Sequence, residues 1–176
     1  MRFQDPALYQ SLTRDRDYST PEGTMEAICA ECERQGLVLA TQMAYVLATV
    51  EHETGGTFAP VREAFFLRNP LGYLRKLRYW PYYGRGYVQL TWRDNYAKYG
   101  EILGIDLVGN PDLALAPPVA NFILVHGLRN GAFTGKRLGD YVRSGKTDFV
   151  GARRCVNGTD KAQRVAQLAW KHLKTV

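Results

Sequence analysis

The chain has 176 residues, 45% of them hydrophobic and 23% charged, which is typical of a soluble globular protein and excludes a largely disordered chain. Lys and Arg number 23 against 17 for Asp and Glu, and the resulting net charge of +6 favours an anionic partner. There is no nucleic-acid signature, no apolar signal region at the amino terminus and no stretch of roughly 20 apolar residues that would span a membrane.

The apolar pattern predicts one domain, residues 1–176, that is mostly helical. In chain order we expect helices over residues 25–35, 41–53 with Thr41 as N-cap, 92–103, 119–128 and 161–173. Residues 57–85 are rich in proline, aromatic and basic side chains and predict a loop, with a short strand over 87–90.

The three cysteines are Cys29, Cys32 and Cys155. Their odd number, without an export signal, argues against a scaffold built on disulfides. Cys29 and Cys32 have the spacing of a redox or metal motif, but no second pair completes a four-ligand site. We therefore expect small buried thiols, with the redox or metal pair as the alternative.

Two carboxylates follow the second predicted helix. Glu53 lies in its last turn, where the helix dipole and an apolar approach both favour the protonated carboxyl. Glu63 lies ten residues later, on a loop beside Arg62, whose charge favours the ionised form. One protonated and one charged carboxyl group is the arrangement that glycosidases use. From spacing alone, the alternative is that these residues and Glu51 are ordinary surface acids.

Residues 82–92, YYGRGYVQLTW, supply the side chains that a saccharide cleft needs. Sugar rings have flat apolar faces on which aromatic rings stack, and hydroxyl edges that amide, hydroxyl and guanidinium groups bind. Strand periodicity places Gln89 and Thr91 on one face and Val88 and Leu90 on the other. The alternative is a core strand with aromatic flanks.

With these residues in view, the chain resembles the plant-type chitinase family of glycoside hydrolases (family 19), and most closely its phage and prophage endolysin branch. Five motifs carry the resemblance in the family's order: HETGG at 52–56, YGRGYVQLT at 83–91, NY at 95–96, LGIDL with NPDL at 103–113, and VNG at 156–158 followed by Arg164. The resemblance implies a mainly α, lysozyme-like fold of two lobes around a substrate cleft, with at most a small β element. It also implies hydrolysis of a β-1,4 linkage in an N-acetylated amino-sugar polymer, without metal or cofactor.

Position by position, the resemblance implies that Glu53 is the general acid, Glu63 the base and Thr91 a residue that holds the attacking water. It implies that further side chains bind sugar or brace the cleft: Tyr83, Arg85, Gln89, Asn95, Tyr96, Asn157 and Arg164. For Arg164 we expect support of the acid, for His52 a structural hydrogen bond and for Glu51 a place on the helix surface. The family's inverting mechanism predicts carboxyl groups about 6.5 to 9.5 Å apart.

Our leading functional hypothesis is an endolysin, a muramidase that hydrolyses bacterial peptidoglycan, because a positive protein suits an anionic wall polymer. The alternatives are a chitinase acting on N-acetylglucosamine polymers and a non-catalytic wall-binding module. An endolysin would be a monomer without a separate wall-binding domain or nucleic-acid partner. It would accumulate in the host cytoplasm and reach the peptidoglycan glycan strands through a holin pore.

A last hypothesis concerns the carboxy-terminal helix, which carries Lys161, Arg164, Lys171 and Lys174. Its basic face is a candidate contact for anionic outer-membrane lipid. The alternative is a core-packing helix with a solvated basic face.

Overall fold

The structure is a computed structural model that describes residues 6–176. These residues form helices α1 (Pro6–Thr13), α2 (Pro21–Arg34), α3 (Ala40–Glu53), α4 (Pro70–Leu74), α5 (Arg93–Leu103), α6 (Pro117–Asn130), α7 (Leu138–Tyr141), α8 (Phe149–Ala152) and α9 (Ala162–His172). Two short 3-10 helices cover Pro111–Leu115 and Arg153–Cys155. The predicted mainly α class with a small β element is therefore confirmed.

The β structure consists of two antiparallel pairs. Strand β1 (Val61–Arg62) pairs with β2 (Arg85–Gly86), and Val61 lies opposite Gly86. Strand β3 (Val142–Arg143) pairs with β4 (Lys146–Thr147).

The strand predicted over 87–90 is wrong, because a tight turn occupies these residues. The backbone groups of Arg85 and Leu90 bond each other in both directions, and Gln89 has φ +55°. The alternation of faces expected for Gln89 and Thr91 therefore does not apply.

The five predicted helices are present with shifted ends. The helix that holds Glu53 begins at Ala40, with Leu39 rather than Thr41 as its N-cap, and ends at Glu53 as expected. Helix α5 ends at Leu103, and Gly104 follows as its cap with φ +64°, the left-handed conformation that favours glycine at a helix end.

The chain forms two compact units. One contains the described residues up to Arg16 together with Ala59–Asn121, and the other contains Asp17–Phe58 together with Phe122–Val176. The prediction of a single domain, residues 1–176, with two lobes around a cleft stays a prediction. Glu53 belongs to the second unit and Glu63 to the first.

Helix α3 is the centre of the second unit. Every residue from Gln42 to Val50 is buried, so the helix is enclosed on all sides, as a core helix of a globular unit should be. Helices α2 and α9 and strand β3 pack against it. Glu51 connects the end of α3 to α9. Its Oε2 lies 2.6 Å from Nε2 of His172, and its Oε1 accepts a hydrogen bond of 3.3 Å from Nζ of Lys171. The expectation that Glu51 is a plain surface residue is therefore wrong.

The cysteines are free thiols, as predicted. Cys32 and Cys155 are buried and Cys29 is half-buried. Across residues 6–176, no helix has both the length and the apolar character that crossing a bilayer requires.

Gly127 in α6 provides a test of the packing of the second unit. A Cβ atom built at Gly127 would overlap the ring of Phe133, whereas one at Gly139 in α7 meets nothing within 4 Å. We expect Gly127→Ala to lower the free energy of unfolding by about 1–3 kcal/mol through overpacking. Gly139→Ala is the control and should be neutral or slightly stabilising in urea unfolding. Equal stability of the two variants would contradict this packing.

Candidate active site

Glu53 is the last residue of α3, and its side chain is 21% exposed. Its Oε1 accepts a hydrogen bond of 2.7 Å from Nη1 of Arg153, while its Oε2 has no hydrogen-bond partner in the described part of the chain. Arg153 is 1% exposed, and its Nε also donates to the carbonyl of Asp160 at 2.9 Å. One carboxylate oxygen is therefore held in place and the other is available to a ligand.

The Arg153 contact changes the electrostatic argument for Glu53. The sequence suggested only the helix end and its apolar approach, which favour the proton. The structure adds a buried cation at hydrogen-bonding distance from the carboxylate. Arg153 lies 100 residues from Glu53 in the chain, so no local pattern indicated this partner.

Arg164 does not occupy the supporting position that was predicted for it. It is exposed on α9, and the residue that contacts Glu53 is Arg153. Asn157, the other predicted polar position of this unit, is also exposed. Both side chains are accessible to a ligand, and their sugar-binding role stays a prediction.

His52 precedes Glu53 on α3. Burial of its ring lowers the pKa of His52, and the charges of Arg153 and Arg164 act in the same direction, while the charge of Glu53 opposes them. The ring makes no hydrogen bond within residues 6–176, so the predicted structural hydrogen bond is absent from this part of the chain. His52 is therefore a neutral neighbour of the carboxylate at pH 7.

Glu63 follows strand β1 and is held by neutral donors. Its Oε1 accepts a hydrogen bond of 2.7 Å from the Tyr79 hydroxyl, and its Oε2 accepts one of 2.9 Å from the backbone N–H of Gly84. The pKa of Tyr79 is raised to about 12, chiefly by burial and further by the bond to Glu63, so the phenol remains a donor.

Arg62, the neighbour of Glu63 in the chain, makes its hydrogen bonds with other residues. It forms two bonds of 2.9 Å to the carboxylate of Asp112 and one of 2.7 Å to the Tyr83 hydroxyl. The sequence therefore indicated Glu63 as a candidate but not Tyr79 and Gly84, which donate to it.

Gln89 lies in the turn that follows Gly84, the backbone donor to Glu63, and Thr91 comes directly after this turn. Nε2 of Gln89 donates to the carbonyl of Val61 at 3.0 Å, and Oγ1 of Thr91 donates to the carbonyl of Gln89 at 2.8 Å. A Cβ atom at Gly84 would meet Oε1 of Gln89 at 2.6 Å, so a side chain there would displace Gln89. The role of Thr91 in holding water stays a prediction.

Arg85 and Tyr96 are buried and bonded within this unit, which suits a bracing role, and their predicted binding of sugar stays a prediction. Arg85 is 4% exposed; its Nε donates to Asp112 at 2.8 Å, and its Nη1 donates to the carbonyls of Pro81 and Tyr83 and to the Tyr96 hydroxyl. Tyr96 has no exposed surface, and its hydroxyl donates to the Tyr83 carbonyl at 2.7 Å.

Tyr83 is also buried, with its ring 3.6 Å from the guanidinium carbon of Arg85. The pKa of the Asp112 carboxyl is lowered, first by the bonds from Arg62 and then by those from Arg85. These residues brace strand β2. Of the predicted sugar-binding side chains in this unit, Asn95 is exposed, and its Nδ2 donates to the Thr91 carbonyl at 2.8 Å.

No metal site accompanies these carboxylates in the described residues, which contain no group of three or more His, Cys, Asp or Glu side chains placed to hold an ion.

The first comparison concerns sequence families. Residues 39–126, half of the chain, match the model of glycoside hydrolase family 19, described as chitinase class I. The chain belongs to the chitinase class I family.

Individual relatives match over a shorter span. Chitinase 11 of Oryza sativa subsp. japonica is 40% identical over 85 residues, which are 46% of this chain and 32% of that protein. Endochitinase A2 of Pisum sativum is 35% identical over 95 residues, which are 46% of this chain and 29% of that protein. The match therefore spans about a third of the length of these relatives.

Two solved structures resemble the chain over nearly its whole length. Chitinase C from Streptomyces griseus HUT6037 has a TM-score of 0.58 at 20% identity, over 97% of this chain and 75% of that one. A bacterial family 19 chitinase has a TM-score of 0.56 at 22% identity, over 97% of this chain and 93% of that one. These likenesses confirm the predicted lysozyme-like fold class. The endolysin branch stays a prediction.

Glu53 and Arg153 provide a test of the charge pairing. Glu53→Gln keeps an oxygen acceptor for the buried guanidinium, whereas Glu53→Ala leaves that cation without one. We expect the free energy of unfolding of Glu53→Ala to be about 2 kcal/mol below that of Glu53→Gln in urea unfolding. The matched control is exposed Glu33 on α2, where the Ala and Gln variants should differ by less than about 0.5 kcal/mol. Equal unfolding midpoints for the two Glu53 variants would refute the pairing.

The lowered pKa of His52 predicts a pH dependence of stability. His52 binds a proton more readily in the unfolded chain than in the folded protein. Its contribution to the free energy of unfolding is therefore full above about pH 6.5, and it is lost as the pH falls through the pKa of His52 in the folded protein. His52→Gln should therefore lose less stability than the wild type between about pH 7 and 5, measured by thermal unfolding. Parallel losses in the two proteins would show that His52 does not contribute.

Proposed function

We propose that this protein is a glycoside hydrolase that cleaves β-1,4 bonds between N-acetylated amino sugars. The observation that carries the proposal is the difference between the two carboxylates in a chain of the chitinase class I family. Glu53 has one free oxygen and a buried guanidinium beside it, and Glu63 is held by two neutral donors. A pair of carboxyl groups with different environments is what acid and base catalysis of glycoside hydrolysis requires.

In the proposed mechanism Glu53 gives its proton to the glycosidic oxygen as the bond to the anomeric carbon breaks. A water molecule held near Thr91 attacks that carbon from the opposite face and passes a proton to Glu63. The new reducing end has inverted configuration, and exchange of both protons with solvent restores the starting state.

Arg153 has a specific part in this reaction. The charge on Glu53 develops as the proton leaves, and a guanidinium 2.7 Å from Oε1 stabilises that charge. Because Arg153 is already buried and bonded to the Asp160 carbonyl, it needs no reorganisation during the reaction. Arg153 thus favours the transition state over the protonated ground state.

For the substrate, we place chitin first. The similar proteins are named chitinases and endochitinases, which supports the chitinase alternative more directly than the endolysin hypothesis. The uncharged polymer of N-acetylglucosamine requires stacking and hydrogen-bonding side chains rather than cations.

Peptidoglycan is the second candidate, and the net charge of +6 supports it. The lactyl and peptide carboxylates of peptidoglycan are negative, so a basic protein is attracted to it. An endolysin of this kind would need a holin to pass from the host cytoplasm to the wall.

The test compares Glu53→Gln and Glu63→Gln on colloidal chitin and on purified peptidoglycan, with soluble products identified by mass spectrometry. We expect the wild type to release chitin oligosaccharides, and each variant to lose roughly a hundredfold to ten-thousandfold in rate because a proton-transfer group is missing. Glu33→Gln, a charge change on α2, is the control and should retain full activity.

The products also decide between the candidates. Release of muropeptides without chitin fragments would support the endolysin reading. Binding to either polymer without any soluble product would indicate a non-catalytic binding module, and full activity in Glu53→Gln would overturn the mechanism.

A further inference from the structure

One short segment of the first unit exposes large apolar side chains. Six of the eleven exposed large hydrophobic residues in the described chain lie within residues 65–80: Phe65, Phe66, Leu67, Leu71, Tyr73 and Trp80. Phe66 is 77% exposed and Phe65 is 55% exposed, and their rings meet edge to face with centroids 5.8 Å apart. Exposed apolar side chains gathered in this way mark an interaction surface.

The same segment is strongly basic. It contains no Asp or Glu. Its four exposed cations are Arg68, Arg75, Lys76 and Arg78. None of the four forms an ion pair with a carboxylate of residues 6–176. The segment therefore has a charge of +4, against +6 for the whole chain.

The segment is anchored, so its outward side chains are presented on a fixed support. Leu74 packs with Ala64 and Tyr83, and the partly buried Leu77 and Tyr79 pack against this cluster. Oδ1 of Asn69 caps helix α4 by accepting from the N–H of Gly72 at 3.0 Å. The inward residues account for folding, and they leave the outward phenyl and leucyl groups without a structural role.

The segment presents few neutral hydrogen-bonding groups in proportion to its apolar and cationic surface. Sugar recognition needs amide and hydroxyl groups at fixed positions. The one amide side chain of residues 65–80, Asn69, is used by the helix cap, and the Tyr79 hydroxyl donates to Glu63. Besides Tyr73, the outward surface is apolar side chains interleaved with cations, of which Arg75 lies over Trp80 and Arg78 over Trp92. Apolar groups with cations are the combination that binds at the boundary between acyl chains and headgroups.

We propose that residues 65–80 form a docking surface for a lipid bilayer that carries anionic headgroups. Phe65, Phe66 and Leu67 enter the acyl boundary, and the four cations contact the headgroup phosphates. This surface differs from the basic face of α9 considered from the sequence, where Lys171 lies 3.3 Å from the carboxylate of Glu51. The proposal does not depend on glycosidase activity, so Glu53→Gln protein should bind vesicles as the wild type does.

The test is sedimentation of the full chain with vesicles of phosphatidylcholine alone and of phosphatidylcholine with an equal part of phosphatidylglycerol. We expect binding to the anionic vesicles, weakening as salt rises from about 0.05 to 0.5 M. Phe66→Ser should weaken that binding about tenfold by removing one inserted ring. A double variant, Arg68→Gln with Lys76→Gln, should weaken it by about tenfold or more through lost headgroup attraction.

Matched controls keep the result specific. Val38→Ser changes an apolar residue that is 64% exposed in the other unit, and Lys98→Gln with Lys136→Gln removes the same charge elsewhere. Both should bind as the wild type does, and thermal unfolding should show all variants folded.

The proposal is overturned if the wild type does not sediment with anionic vesicles, or if the controls lose binding as much as the segment variants. It is also overturned if Phe66→Ser abolishes a dimer seen by light scattering, or binding to chitin or peptidoglycan, while vesicle binding is unchanged.

Discussion

A guanidinium with almost no exposed surface requires a carboxylate and further acceptors, and this requirement organises the unit that holds Glu53. Arg153 meets it with Glu53 at 2.7 Å and the Asp160 carbonyl at 2.9 Å. Helix α3 is enclosed on all sides up to Val50, so its last turn delivers Glu53 from the core to the partly exposed position where Arg153 lies. One ion pair thus joins the core helix to the short 3-10 helix Arg153–Cys155 and holds one oxygen of the proposed acid.

Glu63 is held by different chemistry. Its two oxygens accept from a phenol and a backbone N–H, both neutral, and the N–H belongs to a residue where a side chain would displace Gln89. Behind it, the buried Arg85 and its partner Asp112 brace the hairpin of β1 and β2. One carboxylate therefore lies beside a buried cation and the other accepts from neutral donors, so the two groups have different environments.

Local pattern was enough to predict the long helices, whereas the roles proposed for Glu53 and Glu63 came from the family resemblance. Helices α2, α3, α5, α6 and α9 have 11 to 14 residues, long enough for an apolar period and end signals to appear, whereas α4, α7 and α8 have five residues or fewer. Partners distant in sequence were beyond any pattern, since Glu53 and Arg153 are 100 residues apart. Residue type also could not show that Arg85 and Tyr96 are buried, where they bond to each other and to the Tyr83 carbonyl.

In the proposed mechanism Glu53 protonates the glycosidic oxygen, and Glu63 accepts a proton from the water that attacks the anomeric carbon directly. Proton NMR of a soluble chitin oligosaccharide during the first minutes of hydrolysis tests it, because the anomer formed first records the stereochemistry before mutarotation. The account predicts that the new reducing end appears as the α-anomer, since a β-1,4 bond is cleaved with inversion. First appearance of the β-anomer would show a retaining mechanism, and with it a nucleophilic role that contradicts the base assigned to Glu63.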